Sequence, residues 1–429
     1  AHDSRKPRPR RRRACDAAVV FVNHALLLTD HRQGGAVIGP YRYVIIDEAH
    51  HLERSIMENL SIKITRNSLE RLFQPVDPVA VHSRQWRQFA SQIEAFDPSR
   101  PGRRLVDRFG ESVAAVAEAY AALFAAVGEG WSPRERLGGT KTRYRDAGVF
   151  APRAGAFQTF YAAVSGARDA LRPLCEARAG AAFQQLQAEL RHIDEEFTDL
   201  AESVRYLQGA DDPEGVFWIE WGRDGAASAV CGSPLDVDRT FADYLAERVA
   251  GAVLTSATLV RRGSFEHVAE RLGIALAGRE PLCLFEPSPF DYARSLLILC
   301  QPGPGDPNER SFAASVADTV ERLVRAAARS SMVLFTSYRM CRATAESLAA
   351  RELPGPVFIQ EPGESRDALA ARFRRSPRSI LLGVASFWEG VDFPGEQLEI
   401  LVIPKIPFPV PTEPVIEARA ERLVRDGRN

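Results

Sequence analysis

The run Tyr43-Val44-Ile45-Ile46-Asp47-Glu48-Ala49-His50 joins four residues of high β propensity to two adjacent carboxylates. Apolar residues in this pattern predict a strand buried on both faces, as in a parallel sheet. Open α/β sheets keep their ligands at the carboxyl ends of the strands, which is where Asp47 and Glu48 fall. In nucleotide chemistry a first carboxylate there holds Mg²⁺ against the phosphates, usually through water, and a second orients or deprotonates the attacking water. Asp47 would take the first role and Glu48 the second, while His50 would report nucleotide state to neighbouring motifs. The competing reading is an acidic turn that caps a helix beginning at Ala49.

Working outward, 429 residues suffice for two to four domains, and an apolar content of 45% with 26% charged residues is that of an ordinary globular chain. No apolar run approaches a membrane span and no signal-like segment heads the sequence, so a cytosolic protein is expected. The net charge of -1 conceals a basic run from Arg5 to Arg13, which could touch nucleic acid or be a solvated tail. Six cysteines are scattered without a Cys-x-x-Cys pair, which supports neither a zinc site nor a disulfide framework, and predicts reduced, mostly buried thiols. Near-absence of lysine beside abundant Arg and Ala fits a GC-rich bacterial genome.

Ala17 to Val22 reads as another buried strand, followed by a turn and short helix that Asn23 would cap. From about residue 54 to 210 the texture becomes helical. Phe183, Leu186, Leu190, Ile193, Phe197, Leu200, Val204 and Leu207 alternate spacings of three and four, a seam that needs partner helices from the segments around 103–127 and 155–176. Gly138-Gly139 and the basic residues from Lys141 to Arg145 are expected in an exposed loop. Strand texture returns at Val216 to Glu220 and Ala227 to Cys231. Beyond residue 285, strands at Leu296 to Cys300, Met332 to Phe335, Val357 to Ile359, Ile380 to Val384 and Leu398 to Ile403 alternate with helices, which implies a second parallel sheet.

Polar residues close several of these strands. Thr255, Ser256 and Thr258 follow Ala252 to Leu254, where they can bond the acidic pair or cap a helix. Thr336, Ser337 and Tyr338 end the Met332 strand. The loop Ser386-Phe387-Trp388-Glu389-Gly390-Val391-Asp392-Phe393-Pro394-Gly395 can face a nucleotide and a nucleic-acid backbone, or be a Gly/Pro turn that buries its aromatics.

Taken in order, Asn23-His24, Asp47 to His50, Thr255 to Thr258, Ser288 to Tyr292, Thr336 to Tyr338 and Phe387 to Gly395 resemble the motif series of the DinG branch of the superfamily-two DNA helicases, related to the xeroderma pigmentosum group D helicase. The resemblance implies an α/β fold of two RecA-like parallel-sheet motor domains, both incomplete, with a large all-helical arch-like insertion. Residues 1–54 would start the first motor domain, 55–213 form the insertion, 214–284 continue the first motor domain and 285–429 form the second. It also implies 5′ to 3′ unwinding driven by ATP and Mg²⁺, with single-stranded DNA and forked duplex as partners, in a monomeric, cytoplasmic, nucleoid-associated motor. Carried over by position, Asp47 (the Mg²⁺ residue, through water), Glu48 and His50 are catalytic. Glu389, Gly390 and Asp392 join Asp47 and Glu48 around the nucleotide, and Thr255, Ser256, Thr258, Thr336, Ser337, Tyr338, Phe387 and Trp388 serve nucleic acid and coupling.

Two departures qualify this. A phosphate-binding loop needs Gly-Lys followed by Ser or Thr. None of the four lysines, Lys6, Lys63, Lys141 and Lys405, has that setting, and the final Gln-x-x-Gly-Arg motif is absent too. The 429 residues alone are therefore expected not to hydrolyse ATP. Relatives often carry an iron–sulfur cluster, for which this sequence shows no ligands. A non-catalytic single-strand clamp, or a scaffold built on the heptad helix, is the alternative.

Overall fold

The structure is a computed structural model that describes residues 17–69, 84–97, 99, 101–136, 139–177, 180, 183–301, 305–307 and 309–427. The basic run Arg5 to Arg13 lies outside them, as does Cys15. The chain divides into two compact units, Ala1–Glu286 with Val410–Asn429, and Pro287–Pro409. Both are mixed α/β, with parallel sheets and many helices.

In the first unit, helix α1 (His24–Arg32) precedes strand β1 (Tyr43–Ile46), and α2 (Leu52–Leu60) follows it. β1 pairs in parallel with β6 (Gly251–Leu254), with Ile46 opposite Leu254. Ile46, Leu52, Ile56, Phe241 and Leu245 share the core beneath this pair. The strand expected at Ala17 to Val22 does not form. Phe21 is 95% exposed there, and among the described residues β1 and β6 have only each other as partners. Nor is β1 buried on both faces, because Tyr43 and Ile45 are 70% and 74% exposed. An apolar run makes a strand only when a neighbour takes up its backbone amides and carbonyls, and that neighbour cannot be read from the run itself.

Between β1 and β6 lies the helical segment. Helices α3 (Arg84–Phe96), α4 (Gly102–Val127), α5 (Ala154–Glu176) and α6 (Gln184–Gly209) enclose one core. The heptad reading holds, since every seam residue from Phe183 to Leu207 is buried. At about 1.5 Å rise per residue, α6 is about 39 Å long. By length and composition α4 could cross a bilayer, contrary to the expectation that no segment would. Its Phe109, Val113, Val116 and Tyr120 are instead buried among the other helices.

The all-helical expectation needs correction. Strands β2 (Ile62–Thr65) and β3 (Lys141–Tyr144) lie within the segment and join β4 (Gly215–Trp221) and β5 (Ala227–Pro234) in an antiparallel sheet of order β2-β5-β4-β3. Lys141 to Tyr144, expected as an exposed loop, is its edge strand. Four residues rich in Lys, Thr and Arg carry too short an alternation to be seen against a helical background. One face of the sheet, with Ile64, Phe217, Ile219 and Tyr144, completes the helical core.

The second unit holds a four-stranded parallel sheet of order β10-β7-β9-β8, from β7 (Ser331–Leu334), β8 (Val357–Ile359), β9 (Ile380–Gly383) and β10 (Ile400–Val402). Helices α7 (Arg310–Ala327), α8 (Tyr338–Ala349) and α9 (Arg366–Arg375) alternate with its strands. Phe312, Val316, Val320 and Val324 of α7 are buried in one core of this unit, and Phe373 of α9 in another. Leu296 to Cys300 forms no strand and is exposed. Cysteines follow suit: Cys231 and Cys341 are buried, but Cys283 and Cys300 are exposed. The last helix, α10 (Pro414–Arg425), expected with the second sheet, belongs to the first unit, where Ala418 packs with Val216 and Leu235.

Phe160 is fully buried between α4 and α5, with its ring 5.7 Å from that of Tyr120. Phe160→Ala should cost about 3–5 kcal/mol of stability, the range for deleting a core aromatic. Urea denaturation followed by circular dichroism at 222 nm measures it.

Candidate nucleotide and nucleic-acid sites

In the first unit the site grows from strand pairing. The Thr255 amide donates to the Ile46 carbonyl at 2.9 Å, and the Ala49 amide donates to the Thr255 carbonyl at 3.0 Å. These bonds extend the β1–β6 ladder past its last residues, so Asp47-Glu48 and Thr255-Ser256 leave the sheet side by side. Glu48 then adopts left-handed backbone geometry, φ +49°, at a cost of about 1–2 kcal/mol for a residue with a side chain. The sharp turn brings His50 back over β6. Its Nδ1 lies 2.7 Å from Ser256 Oγ and 3.3 Å from Glu48 Oε2. Ser256 Oγ also accepts from the Thr258 amide at 3.2 Å. Glu48, His50 and Ser256 thus form one connected polar group, with Asp47 beside it.

Asp47 is held by its own loop. Its Oδ1 accepts from the Glu48 amide at 2.9 Å, and its carbonyl lies 2.9 Å from His24 Nε2. Asn23 caps α1 by accepting from the Leu26 amide at 2.9 Å, which fixes the helix start that carries His24. The structural role of Asn23 is thus present, and through His24 it reaches the acidic pair. Asp47 and Glu48 are both exposed at the strand end. Two adjacent, solvent-reachable carboxylates form a hard-oxygen donor set, which suits Mg²⁺ bound partly through water.

In the second unit, Thr336, Ser337 and Tyr338 follow β7. Ser337 caps α8 by accepting from the Met340 amide at 3.3 Å, while Thr336 and Tyr338 are exposed. Cys341, one turn into α8, is buried against the sheet, and that burial pushes its thiol up to about 12. It is packing, not a nucleophile.

The loop after β9 is anchored at both ends. Phe387 is buried in the core, so its ring is an anchor rather than a base-stacking surface. Trp388 Nε1 donates to the Phe335 carbonyl at 3.1 Å, which ties this loop to the one after β7. Glu389, Gly390 and Asp392 project beyond these anchors and are exposed. Gly390 has φ +71°, and a Cβ there would sit 3.0 Å from Arg366 Nη1. The position favours glycine on both counts.

Two contributors escaped the sequence reading. Gln360, 5% exposed at the end of β8, accepts from the Val384 amide at 2.8 Å and donates to Ser386 Oγ at 2.7 Å. Its side-chain amide does what another strand residue would do, and holds the loop as it leaves β9. Arg374 donates to the Asp392 carbonyl at 3.0 Å while its guanidinium lies 5.2 Å from the centre of the Phe393 ring. A lone Gln after a strand and an Arg at a helix end give no pattern from which either contact could be foreseen.

Each of the two units thus has a parallel sheet whose strands end in acidic, hydroxyl or glycine-bearing loops. The family model described as the helicase C-terminal domain matches residues 320–429. In sequence the chain is similar to helicases named DinG and YoaA. It is 28% identical over 456 residues to the Bacillus subtilis protein named 3′-5′ exonuclease DinG, spanning 96% of this chain and 46% of that protein. To the ATP-dependent helicase DinG of Mycobacterium tuberculosis it is 28% identical over 424 residues, spanning 96% and 56%. Identity to the ATP-dependent DNA helicase YoaA of Escherichia coli is 32% over 219 residues, 51% of this chain and 33% of that one. The chain spans about half the length of the DinG relatives it matches end to end. A solved chain titled XPD_Helicase is similar over 95% of this chain and 62% of its own, at 12% identity and a TM-score of 0.47.

Gln360→Leu would leave the buried Val384 amide without its acceptor, at a cost of about 1–3 kcal/mol. Hydrogen exchange at Val384 and Ser386 should quicken while the amides of α7 keep their protection. Unchanged exchange at Val384 would show that Gln360 does not hold the loop.

Proposed function

We propose that this chain is part of an ATP-dependent DNA helicase of 5′ to 3′ polarity, coupling ATP hydrolysis to movement along single-stranded DNA in repair or replication. The observation that carries the reading is the hydrogen-bonded group at the ends of β1 and β6, in which His50 joins Glu48 to Ser256. Asp47 would hold Mg²⁺, which when bound would offset phosphate charge. Glu48 would accept a proton from the attacking water. Because His50 bonds Ser256 and approaches Glu48, a change at the carboxylate alters the hydrogen bonding of the residues after β6, a direct path from nucleotide to strand-end loop. In the second unit, Thr336, Ser337 and Tyr338 would meet the DNA backbone, and Glu389, Gly390 and Asp392 would lie between nucleotide and DNA. The two units would be RecA-like motor domains, with the helical segment as an arch. We place the intact enzyme in the cytoplasm, working as a monomer on forked DNA.

The 429 residues contain no Gly-Lys-Ser/Thr sequence to surround the phosphates. The chain alone should therefore bind single-stranded DNA but not turn over ATP. Release of inorganic phosphate from Mg²⁺-ATP, with and without oligodeoxythymidine, is the measurement. A DNA-stimulated rate that Glu48→Gln abolishes would overturn the inactivity. In the full-length protein, Glu48→Gln should lower kcat by at least about 10²-fold with little change in KM, and an unaffected kcat would remove Glu48 from the chemistry.

A further inference from the structure

The second face of the antiparallel sheet carries an unusual set of side chains. Strand register places Arg143 opposite Trp218, Trp218 opposite Cys231, and Cys231 opposite Lys63, so that cations flank an indole across the sheet. Lys141 lies two residues before Arg143 on the edge strand, and Arg145 follows β3. Lys63 is bonded to Glu220 of the same face at 2.6 Å. The edge-strand cations have a different partner, the acidic side of α10.

Lys141 Nζ meets Glu413 at 2.6 Å, Arg143 meets Glu417 and Glu421 at 3.1 Å each, and Arg145 meets Glu421 at 3.1 Å. The match is geometric. Every second residue of a strand advances about 6.6 Å, and every fourth residue of a helix about 6 Å. Three carboxylates therefore lie along three cations in step, and the Arg143 bond holds the Glu421 carboxyl below its usual range.

The helix that supplies these carboxylates is lightly seated. Only Pro414 and Ala418 of α10 are buried, while Leu423 and Val424 are exposed. Two further arginines fasten it, Arg419 to Glu53 at 2.7 Å and Arg422 to Asp236. Partly exposed ion pairs each contribute little and weaken with salt. The chain enters the helix through Pro407, Pro409 and Pro411, an exposed, proline-spaced tether.

We propose that this sheet face is a second binding surface for single-stranded nucleic acid, covered by α10, whose N-cap residue Glu413 and helical Glu417 and Glu421 stand where consecutive phosphates would lie. A row of cations beside an aromatic ring on an open sheet is the chemistry that binds a single strand without sequence preference, the cations tracking phosphates and the ring accepting a base. α10 then acts as an internal competitor. The choice of ligand rests on the nucleic-acid reading above.

The test is anisotropy of a fluorescein-labelled oligodeoxythymidine titrated with the full chain across a salt series. Glu413→Gln/Glu417→Gln/Glu421→Gln should bind at least about five-fold tighter than the unmodified chain at low salt, with a log–log salt slope steeper by about two. Adding Lys141→Gln/Arg143→Gln should abolish the gain. An affinity within two-fold of the unmodified chain, or a gain that survives loss of Lys141 and Arg143, overturns the proposal. So does capture of a polyglutamate peptide by the unmasked face without capture of the oligonucleotide. Should the triple variant fail to melt cooperatively, Glu417→Gln alone, with a gain of about two-fold or more, decides the same question. Binding by the unmodified chain with no gain on unmasking leaves the helicase reading standing and sinks only this surface. A gain on unmasking with no binding by the unmodified chain supports the surface and counts against the helicase reading.

Discussion

The first-unit site depends on two backbone hydrogen bonds beyond the last formal pair of β1 and β6. They run from the Thr255 amide to Ile46 and from the Ala49 amide to Thr255. The ladder sets the register of the two strands, but without these bonds the loops that follow could diverge, and the carboxylates of one would have no fixed relation to the hydroxyls of the other. Parallel pairing makes the register count, because both strands deliver their following loops to the same edge of the sheet. The strained turn at Glu48 uses that placement to fold His50 onto Ser256. The strain is local and modest, and it occurs where the connectivity of the polar group requires it.

The second unit solves the same problem with side chains. Its exposed loop residues are held indirectly. Trp388 bonds the backbone after β7, Gln360 bonds the backbone after β9, and Arg374 bonds the Asp392 carbonyl from α9. Phe387 sinks into the core between these polar anchors. Glycine at position 390 then leaves the tip free of a side chain close to Arg366. The aromatics in this loop position its polar residues.

Sequence legibility divided along physical lines. Long amphipathic helices were readable because their burial pattern repeats over many turns; α6 runs from Gln184 to Gly209 with each heptad position inward. The strands of the second sheet were readable because apolar runs alternate with helices, and β7 and β9 are buried throughout. Ala17 to Val22 and Leu296 to Cys300 were misread, since β propensity describes a residue's fit to a sheet and not the presence of one. Lys141 to Tyr144 failed in the opposite sense, as a polar strand whose cations are balanced by glutamates about 270 residues away. The acidic pair and the hydroxyl triplet could be recognised as chemistry, but the His50–Ser256 bond between them, spanning 206 positions, exists only in three dimensions.

The antiparallel sheet also bears on how the long excursion between β1 and β6 is accommodated. β2 at its start pairs directly with β5 near its end, Ile62 against Gly232 and Thr65 against Ala229, and Ser61 Oγ bonds Ser233 Oγ at 2.9 Å just outside that pair. Departing and returning chain are thus stitched together at a narrow neck. The entropy of closing so large a loop is met once, at the neck, by bonds that do not involve the parallel pair. Everything beyond the stitch can gain or lose length over evolutionary time without moving the carboxylates, because the two chain crossings remain a fixed strand-pair distance apart.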